Sequence, residues 1–157
     1  MLYFAYATNL SRKQMAERCP GARPRMAAKL PHYKLIFAGW SRKWRGGSAT
    51  VRQSKGDVVA GALYEITEQG LRQLDKHEDY PMTYDHLNVK VVTADGEFVE
   101  AVTYIAKGRV DETKPSPEYL AVIRDGYRDW GIASSTGKTS MFQEMDRQSR
   151  SRGGTED

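Results

Sequence analysis

The apolar positions fall into short blocks separated by Gly, Pro and Asp-Gly punctuation, and the spacing inside each block predicts its element. Leu2-Tyr3-Phe4-Ala5-Tyr6 is a brief apolar, aromatic run that predicts a buried strand. It passes through Ala7-Thr8-Asn9-Leu10 into Ser11-Arg12-Lys13-Gln14. A serine followed three residues later by glutamine is the capping-box pattern, so a helix is predicted from about Ser11 to just before Cys19-Pro20-Gly21. A strand that feeds directly into a helix N-terminus leaves several backbone N–H groups free to face an anion.

The next strand is predicted at Leu30 to Trp40, followed by a basic, glycine-containing loop from Ser41 to Gly47. Short strands are predicted at Ala49–Gln53 and Val58–Ile66, with Lys55-Gly56-Asp57 as a turn between them. Thr67 reads as a helix N-cap ahead of Leu71 and Leu74. Alternating runs His86–Thr93 and Phe98–Ala106 flank Ala94-Asp95-Gly96-Glu97, a hairpin signature. In the last helix Ser116 serves as cap and Pro117 as first residue. Tyr119, Leu120, Ile123, Tyr127 and Trp130 form its apolar stripe, and Gly131 is its stop. The pattern predicts an α+β domain over residues 1–133 with five or six strands and about three helices. Residues 134–157, rich in Ser, Thr, Arg and Gly, read as a loose polar tail.

Composition narrows the class. The 157 residues are 39% hydrophobic and 28% charged, which fits one globular domain and excludes a disordered chain. Cys19 is the single cysteine, so no intrachain disulfide framework exists. No run approaches the roughly 20 apolar residues of a spanning helix. The opening MLYFAYATNL has no basic n-region, so a cytoplasmic location without a membrane partner is expected. The net charge of +4 hides a split: residues 11–55 carry twelve Lys/Arg against Glu17 alone. Such a segment suits nucleic acid or a small anionic substrate, or is neutralised by the acidic remainder of the chain. Trp40 and Trp44 among Arg42, Lys43 and Arg45 could stack on bases. The absence of an arginine-rich tract or an RNA-binding motif argues against a nucleic-acid partner.

Candidate chemistry centres on Glu78. If the helix begun at Thr67 continues, Leu71, Leu74 and Glu78 share one face, and the carboxylate aligns with the stripe that meets the core. A buried carboxyl has a raised pKa and accepts protons near neutral pH. The competing reading ends the helix at His77 and turns Glu78 to solvent. The turn Tyr6-Ala7-Thr8-Asn9 offers N–H groups, a hydroxyl and an amide to a carboxylate or oxyanion, or is simply a capped helix start. Gly137-Lys138-Thr139-Ser140 is a fragment of a phosphate loop, but Ile132 stands where the first glycine is required. His32, His77 and His86 lack ligand spacing, so no metal is expected. Cys19 before Pro-Gly reads as a structural thiol.

Taken in order, these blocks resemble the γ-glutamylcyclotransferases. Tyr3-Phe4-Ala5-Tyr6-Ala7-Thr8-Asn9-Leu10 is similar to their YFAYGSNL opening, and Gly46–Val51 with Gly56–Gly61 to their central stretch. Leu74-Asp75-Lys76-His77-Glu78 is similar to their LDxxE segment. Tyr84–Val92, Val102-Thr103-Tyr104 and Pro115–Tyr119 resemble later blocks, so the likeness spans residues 2–131. It implies a small mixed β-barrel with flanking helices, often dimeric. It also implies cleavage of a small anionic γ-glutamyl compound to 5-oxoproline and a free amine or amino acid, with no cofactor. Glu78 would be the general acid/base, Tyr3, Phe4, Ala5, Tyr6, Ala7, Thr8 and Asn9 the substrate loop, and Tyr84 and Tyr104 pocket residues. Two positions depart, with Ala7 for glycine and Thr8 for serine. If position 7 needs positive φ, alanine there costs on the order of 1 kcal/mol. The alternative implied by these departures is a non-catalytic small-molecule binder of the same fold.

Overall fold

The computed structural model describes residues 1–108 and 110–133, so the tail and the 137–140 fragment lie outside the described residues. Five strands close a barrel: β1 (Leu2–Ala5), β2 (Arg23–Ser41), β3 (Gly46–Glu65), β4 (Tyr84–Thr93) and β5 (Phe98–Ala106). Their order around the barrel is β1-β3-β2-β4-β5. The neighbours are antiparallel except β1 and β5, which meet in parallel at Tyr3 and Val102 and close the ring. Three helices flank it: α1 (Arg12–Arg18), α2 (Glu68–His77) and α3 (Pro117–Asp129). The fold is α+β. Phe4, Leu30, Leu63, Val91 and Thr103 lie in its core with almost no exposure, and Tyr64, on the other face of β3 from Leu63, is buried against Trp130.

The β4–β5 hairpin and the three helices fall where the pattern places them, to within a few residues. Ser11, Thr67 and Ser116 each accept a hydrogen bond from the backbone N–H three residues on. The capping box at α1 is one-sided, because the Gln14 amide donates to Asn9 Oδ1 at 3.2 Å instead of returning to Ser11.

The middle of the chain differs from the expectation of three short strands. β2 and β3 are continuous arms of 19 and 20 residues, and the expected turn at 55–57 is a bulge within β3. Pairing jumps from Pro31–Val58 to Tyr33–Gln53, so Ser54 to Asp57 swell out opposite His32. Gly56 takes φ +89°, and its N–H donates to His32 Nδ1. The Arg23–Lys29 portion was not legible as strand because it is charged and alanine-rich and contains a proline. Pro24 and Pro31 both flank register shifts, where a missing N–H is tolerated. Beyond the bulge the paired arms extend past the barrel, and their tip, Ser41 to Gly46, overhangs one end of it.

That same end receives the chain as it leaves β1. A single 3-10 turn, Thr8–Leu10, joins β1 to α1. It is clamped from behind by the C-terminus of α3: Trp130 Nε1 donates to Leu10 O at 2.9 Å, and Asp129 accepts from Arg12 N. Gly126 makes this docking possible, since a Cβ there would sit 2.4 Å from that of Leu10.

Candidate active site

A cavity of about 280 Å³ opens between the 3-10 turn, the end of α2 and the β2–β3 tip. Tyr3, Tyr6, Ala7, Thr8 and Asn9 form one wall, Glu78 another, and Tyr84 and Tyr104 line it from β4 and β5. Phe4 and Ala5, expected in the substrate loop, lie outside the cavity wall and are wholly buried in the core. Strand alternation turns Phe4 to the face opposite Tyr3, while Ala5, on the same face as Tyr3, is covered completely.

Glu78 combines features of both readings of its position. α2 ends at His77, yet Glu78 caps the helix with φ −94° and its N–H still reaches Leu74 O. Its side chain therefore keeps the inward direction, with 21% exposure, while His77 and Asp79 on either side are exposed. Glu78 Oε1 accepts from Asn9 Nδ2 at 3.2 Å, and Arg18 Nη1 stands 3.9 Å away. Burial pushes the Glu78 carboxyl above the usual carboxylate range, and nearby Asp75 adds to this. Arg18 and the Asn9 amide pull the other way without reversing it.

Asn9 organises this corner. Its amide nitrogen serves both Glu78 and the Tyr3 hydroxyl, while its oxygen accepts from Gln14 and from Arg18 Nη1. With the oxygen held by two donors, the amide cannot rotate to present it to Glu78. Arg18 is itself buried, at 9% exposure. The 3-10 turn uses the N–H groups of Leu10 and Ser11 for its own hydrogen bonds, leaving those of Ala7, Thr8 and Asn9 without a partner inside the turn. Ala7 has φ −135°, so the left-handed conformation that would penalise alanine does not occur.

The tyrosines around the carboxylate are neutral. Burial pushes the Tyr3, Tyr6, Tyr104 and Tyr119 hydroxyls well above the usual phenol range, and Tyr84 up to about 12. Several are already engaged. Tyr6 donates to Tyr104 O, Tyr84 donates to Ala49 O and pairs with Ser48, and Tyr119 accepts from Ala49 N. Tyr104 donates to Asp75 Oδ1 at 2.6 Å, an oxygen also held by His86 Nε2 at 2.7 Å. Such hydroxyls orient a ligand but do not remove its protons near neutral pH. Glu78 is the sheltered group in the wall that can.

Sequence reasoning missed Arg18, Ser48 and Tyr119 as cavity residues. Tyr119 belongs to the predicted stripe of α3, and nothing in that spacing separates a core tyrosine from one at a cavity wall. Trp40, Arg42, Lys43 and Trp44, considered for base stacking, line the mouth of the cavity. Cys19 is buried between α1 and α2, its thiol directed at Gly70 O.

A barrel of this topology with a carboxylate-bearing cavity at one end defines a known class. The family model "Gamma-glutamyl cyclotransferase, AIG2-like" matches residues 3–127. The chain belongs to that family and is an enzyme of the γ-glutamylcyclotransferase type. It is 33% identical over 136 residues to human gamma-glutamylcyclotransferase, covering 83% of this chain and 72% of the relative. The mouse gamma-glutamylcyclotransferase is 32% identical over the same shares. A solved gamma-glutamyl cyclotransferase structure superposes with a TM-score of 0.80 at 29% identity, covering 94% of this chain and 98% of the other. No helix of the described residues is long and apolar enough to cross a membrane.

Proposed function

We propose that the protein converts a γ-glutamyl compound to 5-oxoproline and a free amine or amino acid, with Glu78 as the general acid/base. The observation that carries this reading is the placement of Glu78, sheltered and with a raised pKa, in one cavity with the 3-10 turn. In this reaction the substrate supplies its own nucleophile. The α-amine attacks the γ-carbonyl, a five-membered ring closes, and the C–N bond to the departing group breaks. Neither water nor a cofactor enters the balance.

A free α-amine titrates near about 8, so much of the substrate arrives as the unreactive ammonium. Glu78 takes that proton and returns it to the departing nitrogen as the tetrahedral intermediate collapses; the ring nitrogen then gives its second proton to the freed carboxylate, which passes it to the departing amine or to solvent. Its surroundings suit both steps. Burial raises the basicity of the carboxylate, while Arg18 and Asn9 favour its ionised form. The N–H groups of Ala7, Thr8 and Asn9 are the donors for a substrate carboxylate or for the oxyanion. Holding the amine against the carbonyl exploits proximity worth roughly 7–11 kcal/mol in favourable cases.

Incubation with γ-glutamyl amino acids and γ-glutamylamines, followed by chromatography for 5-oxoproline, tests the reading. Product from at least one of them is expected; folded protein inert towards the whole panel would reject it and leave a binder of the same fold.

A further inference from the structure

Gln14 completes the capping-box pattern at the start of α1 but does not serve it. The serine half forms, with Gln14 N donating to Ser11 Oγ. The Ser11 N–H that the glutamine side chain would accept from is already donated to Thr8 O. The Gln14 amide nitrogen instead donates to Asn9 Oδ1 at 3.2 Å. Gln14 does not itself line the cavity, so its side chain reaches the site through Asn9.

Arg18 lies one helical turn further on, on the same face of α1, and donates to the same oxygen through Nη1 at 3.2 Å. A guanidinium has no acceptor, so this contact fixes which end of the Asn9 amide is the oxygen. The nitrogen end spends both of its protons, on the Tyr3 hydroxyl at 2.9 Å and on Glu78 Oε1 at 3.2 Å. Every hydrogen-bonding position of this amide is thus filled, at a residue with 3% exposure. Turning the amide over would set its oxygen against the Glu78 carboxylate and its N–H groups against Arg18.

The two donors have separate tasks. Arg18 dictates the orientation, but it also stands 3.9 Å from Glu78, so its charge is shared between two partners. Gln14 is neutral and occupies the second lone pair, which stops the amide from swinging about a single bond. Tyr3 accepts from Asn9, which leaves its own proton unspent among the described residues, whereas Tyr6, Tyr84 and Tyr104 donate theirs to protein oxygens.

We propose that Gln14 is a positioning residue for the reaction: together with Arg18 it locks the Asn9 amide in the orientation that gives Glu78 a donor and leaves the Tyr3 hydroxyl proton to the cavity. This rests on the role proposed for Glu78 above. The lock is legible at Glu78, because the Asn9 donor favours its ionised form. Of the other groups that face Glu78, Arg18 is cationic and Asp75 is the second acid. The phenols of Tyr3, Tyr6, Tyr84, Tyr104 and Tyr119 are pushed up by burial and stay neutral. Replacing Gln14 removes none of these.

The test follows the Glu78 side-chain carboxyl carbon by NMR as pH is varied, its signal identified by its loss in Glu78→Gln. Gln14→Met keeps the length of the side chain without a donor, and Gln14→Leu is a second, shorter replacement. Both should move the Glu78 titration to higher pH, and the acidic limb of kcat/KM should move with it. In an Asn9→Ala background, where no amide is left to position, the same replacements should cause no further shift. A titration that is unmoved or moves to lower pH, or a shift that persists in Asn9→Ala protein, overturns the lock. A purely structural Gln14 would lower the thermal midpoint and leave the titration in place. The two readings fail separately: a shifted titration without 5-oxoproline formation removes the catalysis alone, whereas turnover with an unmoved titration removes the lock alone.

Discussion

Asp75 and Glu78 lie three residues apart at the end of α2, are similarly sheltered, at 15% and 21% side-chain exposure, and are bonded very differently. Asp75 is saturated. One of its oxygens accepts from both Tyr104 and His86, and the His86 ring is stacked on Tyr80 at 3.9 Å. Glu78 receives a single 3.2 Å hydrogen bond from Asn9 and stands 3.9 Å from Arg18. A carboxylate oxygen held by two short hydrogen bonds is fixed in place and serves the structure. One that is desolvated but incompletely bonded retains the capacity to take a proton. On the proposed mechanism, two acids on one helix end divide into a strut and a reagent through their partners.

Breaking the reagent gives the largest effect. Glu78→Gln keeps shape and the Asn9 contact but removes the proton acceptor, and turnover should fall by at least about a thousandfold, near 4 kcal/mol of barrier. Steady-state 5-oxoproline formation checks it, and retention of a tenth of the activity would move the acid/base elsewhere. Breaking the strut should cost stability instead. Asp75→Ala leaves the Tyr104 hydroxyl and His86 Nε2 without their acceptor, a loss of about 2–3 kcal/mol read as a lower urea midpoint.

Arg18→Met sharpens the comparison by removing the cation that favours ionised Glu78. The Glu78 pKa then rises further, and the acidic limb of kcat/KM should move to higher pH. An unmoved limb would mean that Arg18 does not sense the group that titrates. The smallest effect is on stability. Because the folded-state pKa of Glu78 lies above its unfolded value, its favourable contribution is complete below about 4.3 and is lost as pH rises through the folded pKa. Glu78→Gln should therefore flatten this part of the pH–stability curve and be no less stable than the parent above it. Thermal melts across pH 4 to 8 would show this, and a variant less stable near neutrality would make Glu78 structural after all.

Local chemistry made much of this fold legible. The caps Ser11, Thr67 and Ser116, the Asp95-Gly96 turn and the stripe of α3 are signals carried within a few residues, and the corresponding elements form where those signals lie. The continuity of the long arms β2 and β3 was not legible, although strands within them were, since alternation fails where prolines and a four-residue bulge interrupt it. At the site, residues from β1, the 3-10 turn and α2 were visible as candidates one at a time. Their hydrogen-bonded union through Asn9 was not, because Asn9 and Glu78 are 69 residues apart.

The amino-acid order by itself determined where the chain turns, which faces are apolar, and that a carboxylate closes the α2 segment. Tertiary structure decided which way that carboxylate points and what it touches. The helix ends before Glu78, so periodicity no longer governs it there. Its direction follows from the backbone bond to Leu74, and its basicity from burial, which outweighs the opposing pull of Arg18 and Asn9. Desolvation and partner count belong to the assembled barrel, and spacing along a chain does not encode them.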